Sequence, residues 1–142
     1  LLLPFVVDQK KVDAQYVATD LTPAMISIAE KRLRSNFERY DSKLTFEEWM
    51  QKHKLVIKQA NGEEPVEGYG KFDAVICNLV LMLTPNPKNI LTSLYNTTTD
   101  DALIGITIWG DKAGSNFFGL MGKAIKALDL PVSTKRSPFY YQ

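Results

Sequence analysis

Apolar positions in this chain fall into two kinds of cluster: short unbroken runs, and stretches where they recur every three or four residues. The first complete pairing of the two is YVATDLTPAMISIAEKRL, residues 16–33. A short strand ends there at Asp20, a turn follows through Leu21, Thr22 and Pro23, and Met25, Ile28, Ala29, Leu33 and Phe37 then recur on one helical face. Pro23 suits the first helical position because its missing N–H would find no partner there, and Thr22 can cap the amides behind it. Thr45 followed by Glu48 is a capping-box signature for a second, short helix within DSKLTFEEWMQKHK. KLVIKQ reads as a compact strand, and ANGEEPVEGYGK as a loop punctuated by Asn61-Gly62, Pro65, Gly68 and Gly70.

FDAVICNLVLML, residues 72–83, has the continuous apolar centre of a strand buried on both faces, as in a parallel sheet. Asn86-Pro87 opens a helix to about Tyr95. ALIGITIWG is a further buried strand cut off by Gly110, and Ser115 can cap a helix to about Leu128. The segment 129–142 is an irregular tail. Strands of this kind alternating with helices predict an α/β fold with a doubly wound, mostly parallel sheet, in a single domain over 1–142. Such sheets bind ligands outside the carboxyl ends of their strands, where strand order reverses. Those ends carry Asp20, Asn61 with Gly62, Asn78 with the residues after it, and Trp109-Gly110-Asp111.

Composition narrows the classes. At 142 residues, 45% hydrophobic and 23% charged, the chain has the balance of a globular protein with one ordinary core. A net charge of +1, with small basic clusters at Arg32/Arg34 and Lys135/Arg136, gives no footprint for nucleic acid or an acidic membrane. No apolar run approaches the roughly 20 residues of a membrane span. The single cysteine, Cys77, excludes an intrachain disulfide and points to a reducing, cytoplasmic setting. It lies in an apolar run and reads as a buried hydrophobe. His53, the one histidine, sits in a charged helix-end segment and reads as a surface residue; no metal site is expected.

On the residues alone, Asp20 has two readings. It caps the helix, or it offers two carboxylate oxygens to the hydroxyls of a ribose, as acids at this position do in nucleotide-binding α/β folds. A glycine-rich cradle lies about 20 residues upstream of such an acid. Counting back from Asp20 reaches or passes Leu1, and no glycine precedes Gly62.

Four segments in order resemble the class I methyltransferases that use S-adenosylmethionine, over most of the chain from about Leu1 to about Leu128. YVATDLTPAMISIAEKRL is similar to that family's second strand and following helix, KQANGEEPVEGYGKFDAVICN to its third strand, acidic loop and fourth strand. LVLMLTPNPKNILTSLY resembles the loop and helix seen in small-molecule methyltransferases, and LIGITIWG the fifth strand. The resemblance implies a Rossmann-like fold and methyl transfer to a small-molecule acceptor, with protein or RNA as lesser alternatives. It puts Asp20 on the ribose, Leu21 and Met25 against the adenine, and Asn61 with Gly62 at the adenine edge, Asn61 accepting through its amide oxygen. Asn78 and Leu79 fall near the methionine end, and Met82, Trp109 and Phe117 line the acceptor pocket. Asn61 reads equally as a turn residue, Met25 as core, and Trp109 and Phe117 with Phe118 as buried packing.

The chain departs from the pattern in three places. The glycine loop and its strand are absent from this sequence, TTTDDAL replaces the usual LKPGG turn, and Met82 stands where a histidine is common. With the first strand absent, residues 1–11 read as a remnant of the first helix, and a gap is expected between the strand ending at Asp20 and the strand 72–77. The sequence then reads as a fragment that is unstable or binds S-adenosylmethionine weakly by itself. Two alternatives follow: a truncated or non-catalytic methyltransferase-like protein, and, less favoured by the order of the motifs, a nucleotide-dependent dehydrogenase.

Overall fold

The computed structural model describes residues 14–37, 39, 43–110 and 116–131. The helix remnant expected at 1–11, the cap at Ser115 and the tail from 132 onward lie outside the described residues. Eight elements follow one another: β1 Tyr16–Asp20, α1 Pro23–Phe37, α2 Phe46–Lys52, β2 Leu55–Gln59, β3 Phe72–Asn78, α3 Pro87–Thr97, β4 Thr98–Thr107 and α4 Asn116–Ala127. The strands form two parallel pairs, β1 with β2 and β3 with β4. The fold is thus mixed α/β with parallel strands in two small sheets, in keeping with part of a Rossmann-like methyltransferase sheet. Contacts cluster into two compact units, Leu1–Glu64 and Pro65–Gln142.

In the first unit β1 and β2 run in register from Tyr16 opposite Leu55 to Asp20 opposite Gln59. Leu33 and Phe37 of α1, Phe46 and Trp49 of α2 and Leu55 of β2 form its buried core, with Tyr16, Leu44, Met50 and Ile57 packed against it. Phe37 meets Phe46 edge-on at 5.4 Å between ring centroids, a geometry that ring quadrupoles favour. The predicted capping box forms: Thr45 Oγ1 accepts from the Glu48 N–H at 3.2 Å, and Glu48 Oε2 accepts from the Thr45 N–H at 2.8 Å. Those two bonds satisfy amides that the helix itself cannot, and they start α2 at Phe46. At α1, Thr22 contributes its carbonyl, which accepts from the Met25 and Ile26 N–H groups.

In the second unit β3 and β4 pair from Ala74 opposite Leu103 to Asn78 opposite Thr107, after a register shift between Phe72 and Ala74. Gly68 and Gly70, in the loop before β3, take φ of +87° and +72°, where a side chain would be strained. Strand β4 begins at Thr98, directly after α3, earlier than the strand expected from Ala102. The cause is local. Thr97 and Thr98 donate their hydroxyls to the carbonyls of Ser93 and Leu94 at 2.8 and 2.9 Å, closing the helix, and β-branched threonine suits the extended backbone that follows.

Burial on both faces, expected for these strands, is not what the described residues give. Cys77 is buried, whereas Ile76 and Leu103 on the opposite face are 75% and 76% exposed. Residues two apart share a face of a strand, so Ala74, Ile76, Leu103 and Gly105 form one uncovered apolar surface. Among the described residues α3 packs on β4, which is too little helix to coat both faces.

Candidate functional site

The carboxyl ends of the first unit's strands bring together four of the expected residues. Asp20 ends β1 half-buried, and its Oδ1 accepts from the Thr22 N–H at 2.8 Å. The same residue's carbonyl accepts from Ala60 N–H at 3.1 Å, which sets Asn61 and Gly62 beside it. Gln59 Nε2 donates to the Leu21 carbonyl at 2.9 Å and ties the turn after β1 to the end of β2. Gln59 is a site residue that the sequence reading passes over; its signal is a polar side chain ending an apolar strand opposite the acid.

Of the two readings of Asp20, the structure shows the capping one directly. One oxygen serves the start of the helix, and Oδ2 with the remaining lone pairs is left for other donors among the described residues. Leu21 and Met25 are 63% and 49% exposed, so both present apolar surface at this end. Met25 therefore lies outside the core that takes Leu33 and Phe37 from the same helix. The Asn61 side chain is engaged in its own loop: Oδ1 accepts from the Glu63 N–H at 3.1 Å, and Nδ2 donates to Glu64 Oε1 at 3.2 Å. That is the bonding of a turn residue, and it leaves one lone pair on Oδ1.

This donor and acceptor set fits the adenosine side of S-adenosylmethionine. A carboxylate with spare lone pairs faces donors such as ribose hydroxyls, and exposed leucine and methionine offer the flat apolar contact a purine takes. The methionine side has no glycine cradle among these residues.

In the second unit, Asn78 and Leu79 follow at the carboxyl end of β3. Asn78 Oδ1 accepts from the Thr107 hydroxyl at 2.6 Å, and the Leu79 N–H donates to the Thr107 carbonyl at 3.0 Å and hydroxyl at 3.1 Å. Leu79 stands at φ 57°, in the left-handed region that a leucine seldom enters. Met82 Sδ accepts from the Trp109 N–H at 3.4 Å, so these two expected pocket residues are brought together. Trp109 is exposed rather than packed. Phe117 lies in the first turn of α4, and its side chain lies outside the described residues. Thr107 is the second residue passed over, and its signal is the same: a polar residue ending β4 opposite Asn78.

Burial pushes the Cys77 thiol up from its ordinary range, against a nucleophilic role. Among the described residues no cluster of three or more His, Cys, Asp or Glu side chains could hold a metal ion, and no helix is long and apolar enough to cross a membrane.

A methyltransferase-domain family model matches residues 2–104, nearly three quarters of the chain, and its last matched residues lie within β4. No curated protein and no solved structure matches the chain.

Proposed function

The chain belongs to the class I methyltransferase family, and from that premise we propose that it transfers a methyl group from S-adenosylmethionine to a small-molecule acceptor. The observation that carries the reading is Asp20, an acid at the carboxyl end of a parallel strand with one oxygen committed to the following turn and the other without a donor among the described residues. When bound, S-adenosylmethionine supplies a methyl group already activated on a sulfonium.

The chain's residues hold and orient. Asp20 accepts from the ribose hydroxyls, Leu21 and Met25 lie along the adenine, and Asn61 with Gly62 meets its edge. Asn78 and Leu79 take the methionine end, and Met82, Trp109 and Phe117 form walls for the acceptor. None of Asn78, Leu79, Met82, Thr107 and Trp109 carries a group that titrates near neutrality, so none of these five serves as a general base. Catalysis then rests on bringing the acceptor atom into line, an effect worth many orders of magnitude in effective concentration. A buried thiol as the only cysteine suits a reducing, cytoplasmic setting.

Titration calorimetry of the full chain with S-adenosylhomocysteine tests the reading. Binding by these 142 residues is expected to be weak, because Gly62 is the first glycine among them and follows Asp20. A charge-assisted hydrogen bond contributes about 1.5–3 kcal/mol, so Asp20→Ala should weaken binding roughly 10- to 100-fold. Asp20→Asn keeps an acceptor for the Thr22 N–H and guards against a failure to fold. Unchanged affinity in both variants would exclude the ribose role.

A further inference from the structure

Thr107 stands between two groups of the neighbouring strand end. Its hydroxyl lies 2.6 Å from Asn78 Oδ1 and 3.1 Å from the Leu79 nitrogen. A hydroxyl has one proton and two lone pairs. The Leu79 N–H can only donate, so it occupies a lone pair, and the hydroxyl proton is left for Asn78. The shorter distance agrees, since 2.6 Å falls in the O–H···O range and below that of N–H···O. The planar Asn78 amide is therefore held by its oxygen. Its Nδ2 has no partner among the described residues, and the side chain is exposed. The same hydroxyl helps hold Leu79 at its positive φ, a conformation that persists only where its surroundings fix it.

We infer that Thr107 is a positioning residue that fixes Asn78 with its NH2 edge toward the ligand, and that the ligand group met there carries oxygen lone pairs: a carboxylate, carbonyl or hydroxyl rather than an amine. The choice follows from electron counting. An atom that accepts from Nδ2 and also takes the methyl needs two lone pairs: an oxygen has them, whereas a neutral amine's single pair would be occupied by the hydrogen bond. This ligand class rests on the methyltransferase reading; the fixing of Asn78 does not. The oxygen could belong to the cofactor's own carboxylate or to the methyl acceptor.

The test is the order parameter of the Asn78 side-chain NH2, measured by nitrogen-15 relaxation on the full unliganded chain. It should be restrained in the wild type, fall below about 0.6 in Thr107→Val, and return in Thr107→Ser. Equal order in Thr107→Val and the wild type overturns the positioning role. Chemical shifts of the same NH2 then read the ligand. A shift with S-adenosylhomocysteine that vanishes with its decarboxylated analogue assigns the oxygen to the cofactor, and a shift with catechol assigns it to the acceptor. A shift with benzylamine alone, or none with any oxygen ligand, overturns the ligand class. Order lost in Thr107→Val while S-adenosylhomocysteine moves no resonance anywhere would support the positioning role and sink the methyltransferase reading instead.

Discussion

The two units solve the same problem, coating a parallel strand pair, with unequal means. In the first, α1 and α2 supply Leu33, Phe37, Phe46 and Trp49 to close a core over Leu55. In the second, strands with unbroken apolar runs at their centres leave Ile76 and Leu103 bare on one face. A strand pair is only as buried as the helices packed on it. An unbroken apolar run reports a demand for cover and not the cover itself.

The contrast can be broken most sharply at Trp49, the one large side chain wholly buried among the described residues. Trp49→Ala should cost about 3–5 kcal/mol. Hydrogen exchange should show lost protection in β1 and β2 and little change in β3 and β4. Equal loss in all four strands would mean that the units do not differ in the way their packing indicates. Ile76→Ser should change stability in urea by no more than about 0.5 kcal/mol, as exposed positions do. A cost of several kcal/mol would show that the face is covered.

The smallest effect is at the Thr45–Glu48 box. Hydrogen bonds from the Thr45 N–H and hydroxyl hold the exposed Glu48 carboxyl below its usual pKa of 4.5. A lowered folded-state pKa stabilises above the unfolded value and is lost as pH falls through the folded one. Amide protection at the start of α2 should therefore decline on acidification below about 4.5, and Glu48→Gln should flatten that decline.

What the sequence made legible divides along the same lines as the contacts. The capping box and the turn at Asp20 join residues three and two apart, and a short signal suffices for both. The start of β4 is not legible in the sequence, because threonines and aspartates carry no strand signal until the helix before them is known to end on Thr97 and Thr98 hydroxyls. The roles of Gln59 and Thr107 are hidden in the sequence for a different reason. Their partners lie 38 and 29 residues away, and only the strand register brings them together. Asn61 is intermediate: its Asn-Gly turn was legible, but the direction of its amide was not.

The central claim is that Asp20 and the loop beside it receive the adenosine part of S-adenosylmethionine. Its most direct test is the S-adenosylhomocysteine titration followed by nitrogen-15 correlation spectra, read residue by residue. The account predicts that the Thr22 amide, bonded to Asp20, and the Gly62 amide move together in the wild type and stay still in Asp20→Asn. Shifts of the same size in both proteins, or shifts that spare Thr22 and Gly62 while other amides move, would contradict it.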